Sequence, residues 1–538
     1  MSTGADLIAQ RLFDAGCRHA FGIPGGEVLS LMDALDRVGI QFHLVKHENA
    51  GGFMAEGTYH ATGTPAILLA TVGPGVVNAI NVVANAWQDQ VPMIFLTGCV
   101  DAAEAESYTH QVFDHTKVIA PISKASMVAA DGAVDVMIDK ALAIATADPP
   151  GPVHIDVPIG LAGVESKPSG YPRYTKPSPT VPADGPDLMR ARDAIANATR
   201  PLMICGVEVL HHGAADAVSE MAHRLSIPTL TSYKAKGVIA EDDVLALGGH
   251  GLSPKSFKLL KPLIDDADVI VLAGYDPIEM RIDWRHVWQP GTEGKTVIEV
   301  SAQPNRHFVH QADISFVCDV GAGLRALTDG LNGKPTWADG QALKMRESLK
   351  AAFPTDEVWG PAAVIDAARQ AFPKHGFAAV DTGAHRILLS QQWTCYGPRT
   401  LVQSTGLCTM GCAMPLAMGY KIANPDTPVI AFTGDAGMEM ILGEMATLRD
   451  MKLPVVTIVF VDESLSLIEL KQRANRQDNV GVDFGGTDFA AVAQAMGGNG
   501  VTATSRDTLM SAIEAGLNAD TFTVIACPIG RKAYDGRF

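Results

Sequence analysis

Two short apolar runs, each ending at an acidic residue, constrain this chain more than any other feature. Thr427 to Phe432 is a β-rich run that empties into Thr433-Gly434-Asp435-Ala436-Gly437-Met438. A helical pattern follows from Ile441 to about Arg449, and Leu453 to Val461 then gives a second buried run that ends at Asp462. The pattern predicts two neighbouring parallel strands with one carboxylate just past the carboxyl end of each. In an open α/β sheet that edge is where ligands bind. Oxygen donors there, beside a glycine turn that enters a helix, suit Mg²⁺ holding a diphosphate. The same letters also suit an ordinary βαβ turn with aspartate as helix cap.

The rest of the chain repeats the alternation. Ala5 to Ala15 has the apolar spacing of an amphipathic helix. His19–Ile23, Gln41–Val45, Pro65–Thr71, Val91–Gly98 and Pro152–Pro158 read as strands, with helices between them, from Ala50 to about Thr62 and from near Val77. Strands spaced by helices mean a parallel sheet covered on both faces. Residues 165–185 are dense in proline and read as an extended surface linker. A second set of strands follows, near residues 201, 228, 268, 295 and 314, and a polar stretch around 330–360 marks another boundary. The expected fold is α/β, with three doubly wound parallel-sheet domains at 1–165, 186–332 and 358–538.

A net charge of -17 argues against nucleic-acid binding, which wants a basic face. The start lacks the basic-then-apolar pattern of a signal peptide, and no uncharged apolar run reaches the roughly 20 residues that span a membrane. The eight cysteines are scattered with no C-x-x-C pair, which reads as buried free thiols in a reducing cytoplasm. Cys408 and Cys412 are spaced to share a helix face, without the further ligands that zinc needs.

Asp435 to Asp462 spans 27 positions. Here the sequence resembles the thiamine-diphosphate enzymes of the acetolactate synthase and 2-oxo acid decarboxylase superfamily, whose Gly-Asp-Gly stands about this far ahead of an Asn-Asn pair. Ala436 replaces the third glycine, and Val461-Asp462 replaces the asparagines. The resemblance implies that Asp435, Asp462 and the main-chain carbonyl of Ser464 hold Mg²⁺. It also implies that Gly434, Ala436 and Gly437, with Gly383, Ala384 and His385 of Asp381-Thr-Gly-Ala-His385, surround the diphosphate. His47-Glu48-Asn49 resembles the stretch with the catalytic glutamate. Glu48 would then hydrogen-bond the aminopyrimidine and stabilise its imino tautomer, which takes the thiazolium proton. Phe21-Gly-Ile-Pro24-Gly25-Gly26 and Thr71-Val-Gly-Pro-Gly-Val-Val-Asn78 match the two glycine turns that wall the thiazolium. Thr405-Gly-Leu-Cys408-Thr-Met410-Gly411 resembles the synthases' Gly-Leu-Gly-Thr-Met-Gly. Met410 would prop the bent cofactor, and the carbonyl of Cys408 would take the pyrimidine amine.

The resemblance names the domains as pyrimidine-binding, Rossmann-like and diphosphate-binding. It implies a homodimer or homotetramer with sites between subunits, because Glu48 and Met410 lie on different domains. The expected reaction is decarboxylation of a small-molecule 2-oxo acid with carboligation of the resulting enamine to a second carbonyl. The alternative is a non-oxidative decarboxylase that releases an aldehyde. His110-Gln111 aligns with the synthases' Phe-Gln. Gln111 would face the reacting carbon, while His110, with His115, is either a proton shuttle or carboxylate anchor or a surface-loop residue. Lys471 either pairs an acidic substrate or lies on a solvated helix face. Gly274-Tyr-Asp-Pro-Ile-Glu-Met280 resembles the flavin-free catabolic acetolactate synthases, so FAD is expected to be absent.

Overall fold

The computed structural model describes residues 2–285, 287–305 and 307–538. Eighteen strands form three six-stranded sheets in which every pairing between named strands is parallel. The first sheet holds β1 (His19–Ile23), β2 (Gln41–Leu44), β3 (Ala66–Ala70), β4 (Met93–Cys99), β5 (Ala125–Val128) and β6 (Pro152–Pro158), in the order β2-β1-β3-β4-β6-β5. The second holds β7 (Pro201–Cys205), β8 (Thr229–Ser232), β9 (Ala246–His250), β10 (Val269–Ala273), β11 (Thr296–Ser301) and β12 (Ile314–Val317), in the order β12-β11-β10-β7-β8-β9. The third holds β13 (Phe377–Val380), β14 (Leu401–Gln403), β15 (Val429–Gly434), β16 (Val456–Val461), β17 (Asn499–Thr502) and β18 (Thr523–Pro528), in the order β14-β13-β15-β16-β18-β17.

The three doubly wound sheets expected from the sequence are present. The outer two share one strand order, and the middle one has the Rossmann order. Their inner strands are apolar on both faces because helices cover both sides: β3, β7 and β10 are buried at every residue. The proline-dense stretch carries no helix or strand from 166 to 183.

The first and third sheets share one core. Phe21, Phe53 and Val76 from one side join Phe377, Leu416, Met438 and Leu448 from the other in a single buried cluster. The helices Glu48–Thr62 and Ala413–Ala423 make that junction. A Cβ on Gly57 would collide with the carbonyl of Leu416, and one on Gly419 with the carbonyl of Met54. Both positions therefore need glycine for the backbones to come this close.

Several local expectations change. The helix expected from Ile441 to about Arg449 begins only at Glu444, as Glu444–Asp450, after a turn that follows a separate short helix, Asp435–Glu439. Cys408 and Cys412 do not share a helix face. The helix begins only at Ala413, and Cys408 has a left-handed backbone, φ 55°. The helices expected from Ala50 and Val77 begin earlier, at Glu48 and Pro74, which sets each at the edge of its own sheet's crevice.

Candidate active site

In each sheet the chain leaves two adjacent central strands in opposite directions, and the crevice between those strands is where an α/β sheet takes a ligand. In the third sheet the pair is β13 and β15. Asp381 follows the first and Asp435 follows the second. Between them and the end of β16 lies a cavity of about 130 Å³, lined by Gly383, Ala384, His385, Met410, Gly434, Asp435, Ala436, Gly437, Asp462 and Ser464, among others. Ten residues singled out from the sequence thus come together in one place.

Hydrogen bonds fix the geometry. Asp435 accepts the backbone N–H groups of Ala436 (2.8 Å), Asp462 (3.0 Å) and Glu463 (2.7 Å), which ties the end of β15 to the end of β16. Asp462 accepts from Ser464 N–H and the Ser466 hydroxyl. Burial pushes Asp462 up to about 7, and the neighbouring Asp435 charge adds to the shift. Burial also raises Asp435, with the Glu439 charge adding to it, and two such buried carboxylates form a hard oxygen donor set, which favours a divalent cation.

Asp381 is fully buried and holds the frame. It accepts from Gly411 N–H (2.8 Å), the Thr433 hydroxyl (2.9 Å) and Thr382 N–H (2.8 Å). A Cβ on Gly437 would strike its carboxylate. A Cβ on Gly383 would meet the His385 ring, which stacks on Phe460 at 5.3 Å. Burial, then the Arg386 charge, drives His385 down to about 3, so its ring is neutral. His385 Nε2 and Thr382 Oγ1 are buried without a hydrogen-bond partner among the described residues. A phosphorylated ligand fits a cavity with these features: glycines where a side chain would block, polar atoms lacking partners, and a carboxylate pair for its cation.

The corresponding crevice of the first sheet lies between β1 and β3. Pro24 and Gly25 follow β1. Thr71 follows β3, donates to Glu27 at 2.6 Å, and leaves no room for a side chain on Gly25. Glu48 is buried at the N-terminus of its helix and accepts from Asn78 Nδ2 at 3.0 Å. A Cβ on Gly75 would lie 3.3 Å from its other oxygen. Glu48 is not among the residues lining the Asp435 cavity. Its neighbours Lys46, His47 and Asn49 instead line a second cleft with Cys408 and Met410.

Gln111 is exposed, with a left-handed backbone (φ 61°), and packs on Gly73. His110 is an exposed loop residue whose ring meets Tyr108 edge-on. His115 is not a surface residue. It is buried, shares a 2.8 Å hydrogen bond with Asp156 and accepts Gly73 N–H at 3.2 Å. Lys471 is exposed on the helix Ser466–Ala474, on its solvated face.

Sequence reasoning missed Glu444. Its carboxylate accepts the backbone N–H groups of Lys46 (2.9 Å) and His47 (3.0 Å), so the third unit holds the backbone just before Glu48. A glutamate on an amphipathic helix carries no letter pattern that separates this reach from a solvated charge.

The comparisons agree with this geometry. Three family profiles match in order: "Thiamine pyrophosphate enzyme, N-terminal TPP binding domain" at residues 2–118, the central domain at 188–327, and the "C-terminal TPP binding domain" at 381–527. The chain belongs to the thiamine pyrophosphate enzymes. Within that class it is acetolactate synthase-like. It is 27% identical over 540 residues to the acetolactate synthase of Bacillus subtilis strain 168, covering 98% of this chain and 93% of that one. To the catabolic acetolactate synthase of Raoultella terrigena it is 27% identical over 539 residues, covering 98% and 95%. To the isozyme 1 large subunit of Escherichia coli K12 it is 29% identical over 492 residues, covering 87% and 83%.

Proposed function

We propose that this enzyme decarboxylates a 2-oxo acid and joins the remaining fragment to a second carbonyl compound. The observation that carries the reading is the Asp435 cavity at the crevice of the third sheet, in a chain that thiamine pyrophosphate enzyme profiles match at 2–118, 188–327 and 381–527. Bound thiamine diphosphate supplies a carbon nucleophile that also accepts the electron pair left when CO₂ departs. Asp435, Asp462 and the Ser464 carbonyl would hold Mg²⁺, and Gly383, Ala384, His385, Gly434, Ala436 and Gly437 would enclose the diphosphate. Met410 would support the bent cofactor, and the Cys408 carbonyl would accept from its amine; the left-handed backbone of Cys408 supports that assignment, because it turns the carbonyl away from a helical course.

Glu48 would hold a proton at the distal pyrimidine nitrogen, with Asn78 orienting its carboxyl group. Glu48→Gln is expected to lower kcat/KM by roughly 10²-fold or more, the scale of lost acid–base catalysis; an unchanged rate removes Glu48 from the chemistry. Gln111, beside the Gly73 turn, would offer its amide to the reacting carbonyl. His110, exposed in one chain, would act only where a second copy covers it. Pro24 and Gly25 would wall the thiazolium.

Two copies complete the site in this reading. Val77 (51% exposed) and Trp87 (40% exposed) lie on the helix Pro74–Gln88 that carries Asn78. Apolar exposure beside the glutamate supports a homodimer or homotetramer, and sedimentation at low protein concentration tests it. Eight free thiols and a chain with no helix, among the described residues, long and apolar enough to cross a membrane fit the cytoplasm.

The central crevice supports the expectation that FAD is absent. It lies between β7 and β10, where Glu208 is buried and accepts Ala302 N–H (2.8 Å) and the Ser301 hydroxyl (3.2 Å). Gly274, φ 55°, packs directly against Glu208. The chain's own carboxylate thus takes a donor that a dinucleotide diphosphate would need. A flavin absorption peak in the purified protein overturns this part.

The deciding experiment incubates the protein with Mg²⁺, thiamine diphosphate and a panel of 2-oxo acids, and identifies products by mass spectrometry. A coupled 2-hydroxy ketone or acetohydroxy acid is the expected result. Free aldehyde alone makes the enzyme a decarboxylase instead, and no CO₂ from any acid overturns both.

A further inference from the structure

Beyond β18 the chain runs back across the third sheet's crevice as a series of turns, with hydrogen bonds from Asp535 N–H to Lys532 and from Arg537 N–H to Tyr534. Tyr534 is the one residue of this segment that reaches the Asp435 cavity, where it lines the wall with Thr382, Asp462 and Ser464. It is 2% exposed, and its hydroxyl has no hydrogen-bond partner among the described residues. A phenol buried this deeply normally finds a partner, because leaving the O–H unpaired forfeits its hydration.

The segment is not loosely placed. Arg473 reaches Asp535, with one pair of atoms at 3.0 Å, and Arg537 pairs with Glu357. Arg531 pairs with Asp483 at 3.0 Å. Phe538 packs with Leu467, Tyr233 and Ile387. Four separate regions therefore hold the segment down, and the side chain they press inward is the one whose polar end is unsatisfied. Thr382 Oγ1 and His385 Nε2, also without partners, line the same cavity. The acidic residues of the cavity cannot account for Tyr534: none of them accepts from it.

We propose that the Tyr534 hydroxyl donates a hydrogen bond to the diphosphate of thiamine diphosphate, and that the segment 529–538 is a strap that retains the cofactor. The inference rests on the reading that the Asp435 cavity takes that diphosphate. Tyr534 is then a binding residue, with no part in moving protons during the reaction.

The test is calorimetric titration of the full-length protein with thiamine diphosphate in the presence of Mg²⁺, with unphosphorylated thiamine as the second probe. Tyr534→Phe removes one oxygen and keeps the packing. It is expected to raise the dissociation constant for thiamine diphosphate roughly tenfold, the size of one hydrogen bond to a charged acceptor. Binding of thiamine should not change. Arg473→Gln, which loosens the strap from outside the cavity, should speed cofactor loss on dialysis. Wild-type affinity for thiamine diphosphate in Tyr534→Phe overturns the proposal while leaving the function intact. An equal loss of affinity for thiamine also overturns it, because the contact would then not be to phosphate. Failure of the unsubstituted protein to bind thiamine diphosphate sinks the functional reading itself.

Discussion

The crevices of the second and third sheets occupy the same place in their folds and have opposite contents. Each lies where the chain diverges from two adjacent parallel strands, and each has a glycine and a buried acidic residue at its mouth. In the third sheet the acid turns sideways. Asp435 binds the backbone at the end of the next strand and leaves a hollow lined by polar atoms without partners. In the second sheet the acid turns across. Glu208 spans from the end of β7 to Ser301 and Ala302 at the end of β11 and takes their donors itself. Topology supplies the crevice, and a single acidic side chain at its mouth is used differently in the two sheets.

Three substitutions bear on that contrast. Asp435→Ala should have the largest effect. It removes both the oxygen donor and the brace between β15 and β16, so Mg²⁺-dependent affinity for thiamine diphosphate should fall on the order of 10²-fold or more by titration. Near-normal affinity would mean that the hollow is not the cofactor site.

Glu208→Gln should act on stability and on its pH dependence. Burial pushes Glu208 up to about 7, above the ~4.3 of an exposed glutamate. The stability linked to its proton is fully present below the unfolded value and is lost as pH rises through the folded one. Glutamine keeps the contacts without ionising. The variant should therefore gain on the wild type between pH 5 and pH 8, by on the order of 1–3 kcal/mol in thermal unfolding. Parallel curves would show that the carboxylate is not sealed in as the geometry indicates.

Ala436→Gly should do least. Ala436 stands where the family usually has glycine, and it is only partly buried at the cavity edge. Cofactor affinity and kcat should stay within about twofold, and a large gain or loss would make this departure a determinant of the site.

The sequence made the hollow crevice legible and left the filled one unread. Apolar runs ending at Asp435 and Asp462 show as periodicity, and glycine turns show as letters, because both follow from backbone requirements repeated along the chain. Glu208 sits in a run with no such signal, and its partners lie more than ninety positions away. Glu444 and Tyr534 escaped for the same reason: each reaches a place distant in sequence, Glu444 the backbone at Lys46 and His47, Tyr534 the wall of the Asp435 cavity. His110 and His115 show the limit most directly. Five residues apart in one polar loop, they look alike as letters, yet one is exposed and the other is buried against Asp156. The later start of the helix at Glu444 was hidden because the turn at 441–443 keeps nearly helical spacing.

The tight crossing of Glu48–Thr62 over Ala413–Ala423 has a consequence for how the molecule withstands damage. The first and third units of one chain are joined by shared packing, and the covalent path between them runs through the stretch at 166–183 and the whole central unit. The peptide bonds of that stretch contribute nothing to the crossing. A protease that nicks it would leave two fragments still clasped, and the seating of the first unit on the third would outlast the continuity of the chain.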